Sequence, residues 1–325
     1  MNEGYDKHQQ GVVALCCLRD HYGIKGSLSR LEGENINYLV LANDGERYVL
    51  KIVDEHLPSE VVAMEYAAVE YAISSGFRLN LPQIIRNLNN KLESGIEIRI
   101  NRRYRAILFS YIDGNILESL TDISKNLTEN IGNFLALFDL SMVGFDHPAA
   151  DRSHRWNLTE VDQHEDKIEL IKDPGRRELL AWAFHRWSAG AKPKLPALPH
   201  QVIHGDANGG NILVDGERVT GLLDFGDCCF NPTICELAIC LPYMMMDREN
   251  PLEIGANIAA AYHAIRPLSE AEVSVLLPLV CGRLAVTVSV AAERRQIESG
   301  HPGWYISEEG AWDLLQILPG VAKIF

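Results

Sequence analysis

The chain has 325 residues, 47% of them hydrophobic, which is enough to form one large core or two medium ones. With 30 basic and 44 acidic residues its formal net charge is −14, which argues against non-specific binding to nucleic acid or to a membrane surface. The same charge is compatible with a small cationic substrate.

The cysteines and the apolar segments favour a soluble, cytoplasmic protein. Seven cysteines, an odd number with no C-x-x-C pair, fit neither a disulfide framework nor a zinc site. The N-terminal sequence MNEGYDKHQQ lacks the basic and apolar regions of a signal peptide. The longest apolar stretch, 273–292, contains Pro278 and, near its middle, Arg283. A charge at that point predicts a buried core helix and not a membrane span.

Residues 1–112 are predicted to form a mainly antiparallel sheet with two helices. Helices are expected over 6–20, closed by Gly23, and over 58–75, closed by Gly76. Strands are expected at 28–31, 38–41, 48–53, 96–100 and 106–111. Asn43-Asp44-Gly45 predicts a hairpin turn between the second and third strands.

Residues 113–325 are predicted to be mainly helical. Helices are expected at 128–141, 177–189, 232–247, 252–265, 270–297 and 307–317. The exception is a short strand pair, 211–214 and 219–225, joined by Asp215-Gly216. The order of elements predicts an α+β protein with a small antiparallel-sheet lobe over 1–112 and a larger, mainly helical lobe over 113–325.

The stretch from 204 to 227 carries the side chains that are best placed for chemistry. His204-Gly205-Asp206 follows an apolar run, Asn211 comes five residues after the aspartate, and Asp224 begins the sequence D-F-G-D. The spacing H-x-D-x-x-x-x-N followed by D-F-G is typical of kinase catalytic and metal loops. Phosphoryl transfer depends mainly on positioning and charge neutralisation, which these side chains can supply.

Each of these residues has an expected role. Asp206 is the candidate catalytic base, because a loop carboxylate can accept or orient the proton of a hydroxyl nucleophile. Asn211 and Asp224 offer the oxygen ligands that Mg²⁺ prefers. His204 is expected to organise the loop by hydrogen bonds and not to transfer protons.

Lys51 and a preceding loop are candidates for binding a nucleotide. Lys51 lies on an apolar strand and can pair with the α- and β-phosphates, held by an acidic partner. Glu65 on the following helix is the expected partner, and Glu70 is the competing one. No G-x-G-x-x-G is present, but backbone N–H groups around Gly33 and Asn35 could cradle phosphates. A plain hairpin loop would have the same composition.

With these residues placed, the chain resembles the aminoglycoside phosphotransferase/choline kinase family, which has a two-lobed protein-kinase-like fold. The resemblance rests on the motifs at 204–211 and 224–227, and it extends to Lys51. The segment 33–38 is similar to the nucleotide loop of homoserine kinases of this family. The segments 236–239 and 243–245, with Arg152 and Trp156-Asn157-Leu158, are similar to hydroxylysine kinases, which usually carry Asp where Asn157 stands.

The resemblance implies cofactors and a nucleotide site. The phosphoryl donor would be ATP or GTP with Mg²⁺, and hydroxylysine kinases favour GTP. The purine would be received by backbone groups of the segment 109–112, which includes Ser110 and Ile112.

The resemblance also implies a small-molecule acceptor, a hydroxylated amino acid or amine. Hydroxylysine is the first candidate, homoserine the second and an aminoglycoside the third. Acidic residues that could bind its ammonium group are Asp227, Glu236 and Asp146. Arg283 could bind a carboxylate, and a buried structural ion pair is an equal alternative for it.

Two other functions are less favoured. A protein substrate is disfavoured because no activation segment ending in A-P-E is recognisable. A catalytically silent nucleotide-binding module on the same fold would fit the loss of a motif residue. Asp206, Asn211, Asp224 and Lys51 are all present, which argues for an active enzyme.

Overall fold

The computed structural model describes residues 3–31, 36–99, 102–297 and 308–321. These residues group into two units. The first unit draws on Met1–Glu70 and Leu81–Asp113, and the second on Tyr71–Asn80 and Gly114–Phe325.

The first unit is built on an antiparallel sheet. Its strands are β1 (Gly26–Leu31), β2 (Ile36–Ala42), β3 (Arg47–Asp54), β4 (Ile84–Ile85), β5 (Ser94–Arg99) and β6 (Arg102–Ser110). They lie in the order β1-β2-β3-β6-β4, with β5 also paired to β6. Lys51 therefore occupies an inner strand, where it lies opposite Asn37 on one side and Ile107 on the other.

Two helices accompany this sheet. Helix α1 (Glu3–Cys17) runs into a π-helical turn, Leu18–Tyr22, which ends at Gly23 with a φ of 70°. Ala14 of α1 and Leu18 of the π-helical turn join a buried apolar cluster with Leu50 and Leu108 of the sheet. Helix α2 (Ser59–Ser74) begins in this unit, and its residues from Tyr71 onward group with the second unit.

The second unit is mainly helical. Its helices are α3 (Lys125–Ser141), α4 (Pro174–Gly190), α5 (Ile234–Met245), α6 (Pro251–Ile265), α7 (Glu270–Ile297) and α8 (Glu308–Val321). Turns of 3-10 helix lie at Leu117–Ser119, Pro148–Ala150, Val161–Leu170, Leu195–Ala197 and Phe225–Asp227. In α7, the segment Glu270–Gln296 has the length and apolar character of a membrane span, but 83% of its apolar window is buried inside the protein, as in the core helix of a soluble protein.

Two small sheets hold the motif loops of this unit. One contains β7 (Asn115–Ile116), β9 (Ile212–Asp215) and β10 (Arg218–Leu222), in the order β10-β9-β7. The other pairs β8 (His200–Ile203) with β11 (Cys229–Pro232).

The mixed fold predicted from the sequence, an antiparallel sheet with a helical part, is confirmed. Caps set some helix boundaries earlier than predicted: Ser124 Oγ accepts the Leu127 N–H at 3.1 Å and begins α3, and Asp173 Oδ1 accepts the Arg176 N–H at 2.7 Å and begins α4. All seven cysteines are free thiols, six of them buried. The strand predicted to run to Phe225 ends at Leu222, because the chain turns into a 3-10 helix there.

Candidate active site in the second unit

The two motif loops meet because the strands before and after them are paired. The loop from His204 to Asn211 joins β8 to β9, and the D-F-G-D loop joins β10 to β11. Leu222 lies opposite Ile212, and the Leu223 N–H donates to Asn211 O at 2.8 Å. The ladder therefore brings Asn211 next to the residue that precedes Asp224.

The Asp206 carboxylate is held by donors on both of its oxygens. Oδ1 accepts Arg283 Nη2 at 2.9 Å. Oδ2 accepts the side-chain amides of Asn208 at 2.9 Å and Asn211 at 2.8 Å. The side chain keeps 22% of its surface exposed, so it is fixed in orientation and still accessible to a small molecule.

Opposing effects act on the pKa of Asp206. Burial raises it most, and the Asp227 and Asp224 carboxylates add to the rise, whereas the Arg283 charge and the Asn208 hydrogen bond lower it. The result is a pKa raised to about 7. A carboxylate with a pKa near neutrality is a better proton acceptor than an ordinary aspartate, which suits a general base.

Arg283 forms the ion pair that orients Asp206, and Arg283 itself is almost fully buried. Besides the ion pair, its Nε donates to Tyr243 Oη at 3.2 Å and its Nη1 to Trp156 O at 3.2 Å. The guanidinium also lies over both aromatic rings, 4.9 Å from the centre of Trp156 and 5.3 Å from that of Tyr243. Of the two alternatives for Arg283, these contacts favour the buried ion pair over a clamp for a substrate carboxylate.

His204 organises the loop, in the way the sequence predicts. Its Nε2 is 2.9 Å from Leu223 O, and its Nδ1 accepts the Asp206 N–H at 3.2 Å. Burial lowers its pKa to about 4, so the ring is neutral and carries its proton on Nε2. The imidazole packs edge-on against Phe225 and Phe138, with centroids 4.8 and 6.1 Å away.

Glu236 lies beneath the catalytic loop. Its Oε2 accepts the backbone N–H groups of His204 at 2.6 Å and Gly205 at 3.2 Å. The residue has no exposed surface, and burial raises its pKa to about 8. This burial corrects the expectation that Glu236 binds a substrate ammonium group, because no surface is available to a substrate.

Gly205 and Asp224 adopt left-handed backbone conformations at the turns of the two loops. Gly205 has a φ of 81°, and a Cβ there would lie 2.5 Å from Asp227 O. Asp224 has a φ of 56° and is exposed, and its Oδ1 accepts the Gly226 N–H at 3.3 Å. Aspartate tolerates this conformation better than most residues, and such outliers cluster at functional sites.

Arg152, in the segment before α4, forms two hydrogen bonds with the D-F-G-D loop. Its Nε donates to Cys228 O at 3.1 Å, and its Nη2 donates to Gly226 O. These two bonds fix the backbone on either side of Asp227.

Asp227 faces a histidine that sequence reasoning missed. Its Oδ1 lies 3.7 Å from His154 Nδ1. Among the described residues, neither ring nitrogen of His154 has a hydrogen-bond partner, although both are buried. Burial, with the nearby Arg152 and Arg283 charges, lowers the His154 pKa to about 4. The only sequence signal was its place between Arg152 and Trp156.

Asp146, another acidic candidate for binding the substrate ammonium group, lies elsewhere, in a surface groove with Lys192 and Phe230.

The predicted nucleotide residues lie in the first unit. Lys51 is half-buried on β3, and Glu65 on α2 is 3% exposed. Ser110 ends β6, where its N–H donates to Gln83 O at 2.8 Å and its Oγ accepts the Gln83 N–H at 3.0 Å. Those two groups of Ser110 are therefore engaged within the unit. Ile112 follows the strand. Gly33 and Asn35 lie outside the described residues.

Solved structures with a similar fold cover nearly the whole chain. The microcompartment-associated aminopropanol kinase matches with a TM-score of 0.74 at 16% identity, over 95% of this chain and 98% of its own. Amicoumacin kinase hAmiN, in complex with AMP-PNP, Ca²⁺ and Ami, matches with a TM-score of 0.69 at 13% identity, over 97% and 96%.

Curated relatives are similar along most of their sequences. Hydroxylysine kinase of Mus musculus is 28% identical over 295 residues, which are 85% of this chain and 78% of the relative. Homoserine kinase of Gluconobacter oxydans (strain 621H) is 27% identical over 257 residues, which are 78% and 77%.

The fold and the site together define a small-molecule kinase, a phosphotransferase that uses an alcohol group as acceptor. The model of the phosphotransferase enzyme family matches residues 27–272. The chain belongs to this family.

Proposed function

We propose that this kinase transfers the γ-phosphoryl group of ATP or GTP to the hydroxyl of a small amino alcohol, with hydroxylysine as the first candidate. The observation that carries the reaction is the Asp206 carboxylate, which is oriented by Arg283 and Asn211 and yet remains accessible. The cytoplasm is the proposed location.

The acceptor class is supported by the relatives. Hydroxylysine, homoserine and aminopropanol, which appear in the names of similar proteins, all contain both an amine and a hydroxyl. Four hydroxylysine kinases are 25–28% identical to the chain. Homoserine and an aminoglycoside are the alternatives.

The donor set at the loop ends fits Mg²⁺. The amide nitrogen of Asn211 donates to Asp206, so its amide oxygen points away from Asp206. Asp224 has an exposed carboxylate just after the neighbouring strand. In the described part of the chain no three His, Cys, Asp or Glu residues form a metal cluster. A magnesium ion commonly takes one or two protein ligands and completes its shell with water and phosphate oxygens. When bound, it would neutralise charge on the transferred phosphoryl group. Amicoumacin kinase hAmiN was solved with AMP-PNP and Ca²⁺, which supports a nucleotide with a divalent cation.

Asp206 would act on the acceptor hydroxyl. Its carboxylate would take the hydroxyl proton as the hydroxyl oxygen bonds to the γ-phosphorus. The bond from that phosphorus to the β–γ bridging oxygen breaks, and the nucleoside diphosphate leaves. The Arg283 ion pair and the two amides would hold the carboxylate in position. In the first unit, Lys51 would hold the α- and β-phosphates with Glu65 as its partner. Backbone groups of the segment 109–112 would receive the purine, and the loop with Gly33 and Asn35 would cover the phosphates.

A two-way screen tests this function. The wild-type protein is incubated with Mg²⁺ and either ATP or GTP, crossed with hydroxylysine, homoserine, 1-amino-2-propanol and kanamycin. Release of nucleoside diphosphate is measured for each pair, and thermal shift reports nucleotide binding. Acceptor-dependent turnover, greatest with hydroxylysine, is expected. Nucleotide binding without turnover of any acceptor would favour the silent module.

A further inference from the structure

We propose that His154 and Asp227 together bind an ammonium group of the acceptor, at a position next to the hydroxyl that Asp206 activates. The inference deepens the proposed function and rests on it. It assigns the amine specificity of the site to one histidine and one carboxylate.

The His154 ring is largely buried without hydrogen bonds to the described residues. Both ring nitrogens are buried and, within the described ranges, both lack a hydrogen-bond partner. Buried polar groups are nearly always hydrogen-bonded, and one without a partner destabilises the fold. The His154 side chain keeps 12% of its surface exposed, whereas Glu236 has no exposed surface, so a ligand can approach the ring and satisfy it.

The groups of this pair suit a cationic donor. The neutral imidazole offers a lone pair, and the Asp227 carboxylate offers a second acceptor with a negative charge. Their separation of 3.7 Å is too long for a direct hydrogen bond. An ammonium group, with three N–H donors, can reach both acceptors at once. A carboxylate of the substrate could not, because it brings no donor.

The pair lies beside Asp206. A Cβ at Gly205, the residue before Asp206, would be only 2.5 Å from the backbone oxygen of Asp227. In agreement with this, the Asp227 charge raises the pKa of Asp206, and the Arg283 charge lowers the pKa of His154. The pair therefore belongs to the surroundings of the base.

Two variants of His154 separate binding from packing. His154→Leu removes both nitrogens and keeps an apolar body, and His154→Gln keeps an acceptor oxygen. For Leu we expect a KM for the amino alcohol about 10- to 100-fold higher, the loss of one hydrogen bond to a charged group. The KM for the nucleotide should stay within about twofold. The KM of Gln should lie between those of the wild type and Leu.

Stability provides a readout that does not depend on turnover. Replacing an unsatisfied imidazole by an apolar side chain should leave the Tm unchanged or raise it. His164→Leu is the matched control, because buried His164 does have a bond, from Nε2 to Arg155 O at 2.9 Å. That control should lower the Tm and leave both KM values unchanged.

The outcomes keep the two proposals apart. If the wild-type protein turns over no amino alcohol, the proposed function fails and the ammonium site fails with it. If the wild type is active and His154→Leu keeps its KM, or if Leu and Gln raise it equally, the ammonium site alone is overturned. A lowered Tm for His154→Leu with both KM values unchanged would also overturn it, since the ring would then be structural.

Discussion

At the scale of single residues, the site is a set of carboxylates in different surroundings. Asp224 is exposed at a turn, Asp206 is fixed on both oxygens, and Glu236 is fully buried below them. Of these three residues, only Asp206 combines a fixed orientation, an accessible surface and a pKa near 7. These properties distinguish Asp206 from the two neighbouring carboxylates more clearly than the motif does.

Replacing Asp206 by Asn tests its assignment as base. The amide has the same shape but cannot take the hydroxyl proton, so turnover should fall by at least about 10²-fold. Nucleotide affinity should stay within about twofold, because the nucleotide is assigned to other residues. Steady-state kinetics and calorimetric nucleotide titration measure the two quantities. Comparable turnover by the variant would remove Asp206 from this role.

Replacing Arg283 by Met tests its support of the base. The change leaves the largely buried Asp206 without its ion-pair partner, and breaking a buried pair destabilises a protein by about 3–5 kcal/mol. Arg294→Met is the control, because Arg294 also lies over the Trp156 ring, at 5.8 Å. Urea denaturation of the apo protein should show the larger loss for Arg283. Equal losses would mean that stacking on Trp156, and not the ion pair, is the main contribution of Arg283.

At the scale of elements, close packing of α3 against α6 depends on a glycine. A Cβ at Gly132 would lie 2.2 Å from Ile258 O and 2.8 Å from Ala261 Cβ. The neighbouring atoms belong to the backbone and a Cβ of α6, so they cannot move aside unless the helix shifts. The crossing of α3 and α6 is therefore set by residue size at one position.

Substituting Gly132 by Ala should lower the free energy of unfolding by about 1–3 kcal/mol. Gly11→Ala in α1 is the control, since no atom lies within 4 Å of its Cβ position. There the change should stabilise the protein by about 0.5–1 kcal/mol, through helix propensity. Chemical denaturation measures both. A neutral Gly132→Ala would show that the two helices can separate freely.

Elements with strong local signals were predictable from the sequence, and those made by distant pairing were not. Helix α7 has the predicted bounds, because its apolar run is long. The β8–β11 ladder was missed, because each strand has four residues and the pairing joins distant segments. The same holds within the site. The spacing of the motif predicted Asp206, Asn211 and Asp224 as candidates. The Arg283 contact spans 77 positions, and His154 is brought near Asp227 only by folding, so the sequence did not predict either contact.

At the scale of the whole molecule, a pair of buried carboxyl groups should make stability depend on pH. Burial raises the pKa of Glu236 to about 8 and that of Asp139 to about 7. The Asp139 charge adds to the rise in the pKa of Glu236, and Tyr262 Oη donates to Asp139 Oδ2. These two carboxyl groups therefore bind more protons in the folded protein than in the unfolded chain between about pH 4.5 and 8.

Because both pKa values are raised on folding, the stabilisation is complete below the unfolded-state values near 4 and is lost as the pH rises through 7 to 8. The Tm of the wild type should fall over this range. Glu236→Gln mimics the protonated group and keeps an acceptor for the His204 and Gly205 N–H groups, so it should flatten the decline. Thermal unfolding at four pH values between 5.5 and 8.5 measures the slope. An equal slope in the variant would show that Glu236 does not take up this proton.

The central claim is that Asp206 is the general base for phosphoryl transfer to the hydroxyl of an amino alcohol. Phosphorus NMR of a reaction with hydroxylysine, Mg²⁺ and ATP or GTP tests it most directly. We predict a new phosphate monoester signal that grows as the nucleoside diphosphate appears, and that is absent on the same time scale with Asp206→Asn. Nucleoside diphosphate without any phosphorylated acceptor, or an equal signal from the variant, would contradict the account.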